Sequence, residues 1–282
     1  MCAIILAFPA TARAACPNGA GGCNSVCTVT NNDVTCDLDD GTPTQGGTLY
    51  AYSVSNTSIK IWGTNGDGVD FCCEGGGFDD VGEAGDTCTN FIDVIGVDNG
   101  AYSDFLSLNN AAQTSTVLKM QHRVWGYGGN DEIYGSSDTV CGDQLYGGSG
   151  IDTIHALAGA DYIEGEGGND VCYGGDGADE IYGGADDDDL WGNDGADEID
   201  GGTGDDQIKG GNQGDVINGQ SGADQICGEG GDDELYGGTG DDIVLEGTGT
   251  TLGVSQCGPD IDDSDFTQIT CEDDGWSSGC PW

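Results

Sequence analysis

The chain has 282 residues, with 52 Asp and Glu against 5 Lys and Arg, a formal net charge of −47. A field of that sign repels polyanions, which excludes nucleic acid and anionic membrane surfaces as electrostatic partners. Fourteen cysteines point to an oxidising compartment and to disulfides.

In chain order, the first feature is a short apolar run, Cys2-Ala3-Ile4-Ile5-Leu6-Ala7-Phe8, followed by Pro9 and an A-x-A site at Ala12-Arg13-Ala14. This is the pattern of a secretory signal over residues 1–14, although the basic segment that normally precedes the apolar core is missing. A buried first strand is the alternative. Cleavage after Ala14 removes Cys2 and leaves thirteen cysteines, so one stays free or pairs between chains. No other stretch is long and apolar enough to span a bilayer, so no transmembrane segment is expected.

Residues 15–45 form a Cys-rich leader with little core. Zinc at Cys23 and Cys27 lacks the second ligand pair it would need. Residues 46–125 carry strand-like runs, among them Thr48-Leu49-Tyr50-Ala51-Tyr52, Ser58-Ile59-Lys60-Ile61-Trp62 and Phe91-Ile92-Asp93-Val94-Ile95, set between glycine and asparagine turns. Gly66–Phe71 and Tyr102–Leu106 look like degenerate forms of one turn-plus-strand unit. The expectation for this segment is irregular β-solenoid coils that cap the region after it.

From residue 143 to residue 242 an aspartate falls on every ninth position: Asp143, Asp152, Asp161, Asp170, Asp179, Asp188, Asp197, Asp206, Asp215, Asp224, Asp233 and Asp242. Two residues after each stands an apolar side chain, from Leu145 and Ile154 through Leu235 and Val244. Asp131 with Ile133 is a further copy, set off by three extra residues. A period of nine matches neither a helix nor plain strand alternation. It matches a tight turn followed by a short strand, as in Gly174-Gly175-Asp176-Gly177-Ala178-Asp179-Glu180-Ile181-Tyr182. Six residues, G-G-x-G-x-D, make the turn, because glycine reaches positive φ at no steric cost. Three, x-U-x, make a strand with its middle side chain inward. Composition alone would allow a disordered acidic tract, but an apolar residue at every U position argues against it.

This unit resembles the RTX, or hemolysin-type, calcium-binding nonapeptide repeat. The resemblance covers residues 126–245. It implies an all-β fold, a parallel β-roll in which successive nonapeptides alternate between two sheets. Residues eighteen apart then stack at roughly 4.8 Å. Asp143, Asp161, Asp179, Asp197, Asp215 and Asp233 line one edge, and Asp152, Asp170, Asp188, Asp206, Asp224 and Asp242 the other. Bare carboxylates so close repel one another, and a hard cation between each pair removes the repulsion. Calcium suits the task better than magnesium because it accepts six to eight oxygens in flexible geometry. Five gaps on each edge give about ten sites, with Asp131 adding one more at most. The fourth turn position holds Cys141, Asp186 and Gln213 in place of glycine, and the sites beside them should be weaker.

Beyond the roll, residues 246–282 lose the period and read as a C-terminal cap pinned by Cys257, Cys271 and Cys280. Helix content should be very low. No catalytic constellation emerges, since neither H-E-x-x-H nor G-x-S-x-G is present. Paired carboxylates, which a glycosidase would need, are already claimed by the metal. The outward strand positions His155, Tyr173 and Trp191 are eighteen apart and should form a ladder, either to stabilise the sheet or to bind a sugar. On the other sheet Tyr146, Tyr182 and Tyr236 are interrupted by Glu164, Asp200 and Asn218. The expectation is a non-enzymatic, secreted bacterial calcium-binding protein, extracellular or at the cell surface, with a structural or adhesive role. Its alternatives are a module for extracellular polysaccharide or a cell-surface protein and, third, a polysaccharide-modifying or ester-cleaving enzyme.

Overall fold

The computed structural model describes residues 121–137, 139, 141–245 and 247, together with the strand backbones between residues 27 and 107 and the side chain of Leu106. The signal segment and all but one residue of the C-terminal cap lie outside the described residues.

Among the described residues all regular structure is β-strand, arranged in two sheets. From Gln121 the chain winds between them. Gln121–Gly128, Gln144–Ser149, Tyr162–Gly167, Glu180–Ala185, Glu198–Thr203, Val216–Ser221 and Glu234–Tyr236 lie in one sheet. Glu132–Tyr134, Thr153–Ala158, Val171–Asp176, Asp189–Asp194, Gln207–Asn212, Gln225–Gly230 and Ile243–Leu245 lie in the other. Neighbours are parallel, and from Gln144 on they are in register at eighteen residues, with Ile163 beside Ile181 and Cys172 beside Leu190. This is the parallel β-roll that the repeat resemblance implies.

The core is one apolar side chain per nonapeptide. Each U residue from Leu145 to Leu235 is at most 1 % exposed, and burying one such side chain is worth about 2 kcal/mol. Cys172 takes its place in this row as a buried thiol, with burial pushing its pKa well up. The row fails at its end. In Ile243–Leu245 it is Leu245 that is buried, while Val244, still in register with Ile226, is only half-buried.

From Gln144 to Gly230 every strand has six residues rather than three. Val171–Asp176 has six, because the first residues of the glycine turn still pair with their neighbours, as Gly148 does with Tyr127 and Glu166. Glycine-rich sequence reads as turn, yet its unencumbered backbone completes a ladder when flanked by register on both sides.

The segment before residue 121 is mixed. Phe91–Ile95 runs parallel to Gln121–Gly128, and Phe105–Ser107 runs parallel to Glu132–Tyr134, with Leu106 fully buried beside Ile133. These strands extend the solenoid, as expected. Thr48–Ser55, Ser58–Thr64 and Asp70–Gly76 instead form an antiparallel ribbon, and Cys27–Thr30 pairs antiparallel with Asp33–Asp37. The expectation of coils throughout residues 46–125 is therefore corrected. The two residues between Ser55 and Ser58 are too few to cross to the other sheet, so the chain turns back on itself.

Candidate metal centre

Each repeat aspartate stands where turn becomes strand, just before the inward-facing U residue. There the pleat carries its side chain inward, and all of them from Asp131 to Asp233 are at most 5 % exposed. The backbone uses each one twice. Its N–H donates to the Oδ1 of the aspartate eighteen residues on, as from Asp161 to Asp179 at 2.9 Å and from Asp152 to Asp170 at 2.7 Å. Its carbonyl accepts from the residue nineteen on, as Asp152 does from Val171 at 2.9 Å. Two hydrogen-bonded aspartate ladders thus run along the two edges of the roll.

In nine of these carboxylates one oxygen is left over. The Oδ2 atoms of Asp152, Asp161, Asp170, Asp179, Asp188, Asp197, Asp206, Asp215 and Asp224 are buried and accept no hydrogen bond. A buried acceptor without a donor costs about 1–3 kcal/mol, and more when charged. Burial is the leading cause that pushes these carboxyls up: to about 6 at Asp152, Asp197 and Asp206, about 7 at Asp179, Asp188, Asp215 and Asp224, and about 8 at Asp161 and Asp170. Neighbouring carboxylates add to the rise, as Asp143 and Asp179 do at Asp161.

Eight of the nine spare oxygens face a backbone carbonyl across a glycine; at Asp161 the corresponding position holds Ala156. A Cβ added to Gly165 would lie 2.6 Å from Asp170 Oδ2 and 2.6 Å from the Gly183 carbonyl oxygen. At Gly147 the same two partners, Asp152 Oδ2 and the Gly165 oxygen, would lie at 2.5 and 2.9 Å. At these eight positions the missing Cβ leaves an oxygen-lined space. Among the described residues no three His, Cys, Asp or Glu side chains converge, so a cation held here takes carboxylate oxygen from the ladder and the rest from turn carbonyls. A hard, oxygen-seeking ion of flexible coordination fits that donor set, and calcium is such an ion.

The second turn position was not singled out by the sequence. It has positive φ throughout, and six non-glycine residues occupy it: Tyr127, Leu157, Glu166, Asn193, Gln220 and Glu229, at φ between 67 and 82°. Left-handed backbone costs such residues about 1 kcal/mol each. Asp186 and Gln213, at the fourth position, are strained in the same way, both at φ 78°. The structure also treats Asp143 differently from the other ladder members. His122 Nδ1 lies 2.7 Å from its Oδ1, and the Ser136 N–H donates to its Oδ2 at 2.6 Å.

The outward faces carry two aromatic stacks. His155 and Tyr173 lie 4.6 Å apart with planes 1° from parallel, and Tyr173 and Trp191 lie 4.7 Å apart at 14°. Tyr134 extends this row by stacking on His155 at 4.7 Å; the three-residue insertion hid it from the count of eighteen. On the other sheet Trp125, Tyr146, Tyr162 and Tyr182 form a more tilted series. Tyr162 comes from the neighbouring column and fills the gap that Glu164 leaves.

The fold and the ladders define a parallel β-roll of the calcium-binding type. The model for the RTX calcium-binding nonapeptide repeat family matches four times, over residues 123–139, 142–172, 173–208 and 209–244. Its repeats bind calcium. No curated protein matches the chain. Among the described residues no helix is long and apolar enough to cross a membrane.

Proposed function

We propose that this is a secreted, non-enzymatic calcium-binding β-roll protein with a structural, surface-layer or adhesive role, folded by calcium after export. The observation that carries the proposal is the row of nine buried Oδ2 atoms without donors, eight of them beside a glycine that keeps its space open. In this reading the ligands are Asp131, Asp152, Asp161, Asp170, Asp179, Asp188, Asp197, Asp206, Asp215, Asp224, Asp233 and Asp242, with turn carbonyls between them. Disulfides hold the ends of the roll. The bonded state of Cys141 and Cys227 supports that part, while buried Cys172 stands apart as a free thiol. Equilibrium dialysis of the purified chain against labelled calcium is expected to count about ten ions. A chain that takes up one or none would refute the proposal.

The stack of Tyr134, His155, Tyr173 and Trp191 favours a second reading, a module for extracellular polysaccharide or a cell-surface protein. Its geometry weighs against sugar stacking. A sugar ring packs on an aromatic face, and in this series the inner faces are taken by the neighbouring rings. Cross-strand stabilisation of the sheet is what such pairs supply. Replacing Tyr173 and Trp191 by alanine is expected to lower stability by about 1–2 kcal/mol and to leave glycan or cell-surface retention unchanged. Loss of retention in a variant that still folds would favour the binding module.

A further inference from the structure

The two aspartate ladders do not begin alike. In one, Asp131 precedes Asp152, and its N–H donates to Asp152 Oδ1 across twenty-one residues, at 2.7 Å. The spacing there is twenty-one rather than eighteen because of the three-residue insertion. Applied to the other ladder, the same spacing leads back from Asp143 to residue 122. The strand register agrees, since Arg123 pairs with Gln144 and Val124 with Leu145. The place of the preceding aspartate in this ladder is therefore filled by His122.

We infer that His122 closes this ladder in place of a cation, so that Asp143 holds no calcium. The inference rests on the calcium reading given above. Its backbone does what an aspartate backbone does there: the His122 N–H points to Asp143 Oδ1 at 3.3 Å. Its side chain does the reverse of what an aspartate would do. A carboxylate at residue 122 would add a negative charge beside Asp143 and call for a cation between the two. The imidazole brings a ring N–H to the same Oδ1 at 2.7 Å, with His122 6 % and Asp143 1 % exposed.

The second oxygen is also accounted for. The Ser136 N–H donates to Asp143 Oδ2 at 2.6 Å, whereas the Oδ2 of Asp152, Asp161, Asp170, Asp179, Asp188, Asp197, Asp206, Asp215 and Asp224 accepts nothing. Ser136 stands two residues after the strand Glu132–Tyr134, and His122 lies in the strand Gln121–Gly128. Both oxygens of Asp143 thus have protein donors, and the ladder gains a metal-free first rung.

Counting bound calcium on the full chain tests this. Asp143→Asn is expected to bind the same number of ions as the unaltered protein, whereas Asp179→Asn binds fewer. His122→Asp, which restores the carboxylate that the register calls for, is expected to bind one more. A loss on Asp143→Asn equal to that on Asp179→Asn overturns the inference, as does an unchanged count for His122→Asp. An unaltered chain that binds no calcium overturns the reading of the ladders itself, and the two failures are thereby distinct.

Discussion

Dialysing calcium away from the purified chain at neutral pH is expected to unfold the roll from a β-rich to a coil-like circular dichroism spectrum. Three costs fall due together. The nine spare Oδ2 atoms lose their counter-charge in a buried setting, the stacked carboxylates repel along each ladder, and the chain returns to its full −47. About ten calcium ions would bring that figure to about −27. The linkage is large even for weak sites. With dissociation constants near 10⁻³ M, as in extracellular modules, 10 mM calcium adds about 1.4 kcal/mol per site. Ten sites then give on the order of 14 kcal/mol, the whole stability of an ordinary domain. One apolar side chain per repeat cannot replace that sum. A far-UV spectrum unchanged in calcium-free buffer would mean that the fold holds without the metal.

Acid is expected to do part of the work of calcium. Without metal, burial raises the folded-state pKa of the ladder carboxyls to between about 6 and about 8, above the unfolded value near 3.9. A group raised in this way binds protons more tightly when folded. Its stabilising contribution is complete below about pH 3.9 and is lost as pH rises through 6 to 8. The calcium-free chain should therefore regain β-structure between pH 8 and pH 5. In millimolar calcium the dependence reverses, since protons now compete for the ligand oxygens, and affinity should fall across the same window. Denaturant midpoints measured at several pH values, with and without calcium, test both arms. A calcium-free midpoint that falls on acidification would show that the carboxylates are not buried as described.

The repeat was open to view in the sequence because its two constraints act every nine residues. Asp161 and Ile163 must face inward, and Gly165 must leave room for Asp170 Oδ2. Each requirement selects a residue type, so the period survives translation into letters. Other features leave no such mark. The antiparallel ribbon from Thr48 to Gly76 is built of the same β-branched and aromatic residues as the coils, and direction is a property of connections rather than composition. His122 was invisible as a ladder member because three inserted residues shift it out of the count, and because it works through its ring and not through a carboxylate. Tyr162 joins the stack from an adjacent column, a relation that single-column spacing does not contain. The strained residues at the second turn position were readable in principle, since they stand where most repeats have glycine. The order of sites by strength is another matter, for it depends on how the turn absorbs Leu157 or Glu166.

The direction of the aspartate ladders has a mechanical consequence. The Oδ1 bonds join each coil to the next, parallel to the sheet hydrogen bonds and to the long axis of the roll. A pull along that axis is shared within each joint by two sheets and two carboxylate ladders, while the joints themselves act in series. The molecule is thus a short cable, roughly 30 Å long for seven coils. It yields first at its least well-made joint, and turns bent around Leu157 or Asp186 are where that yield point is set.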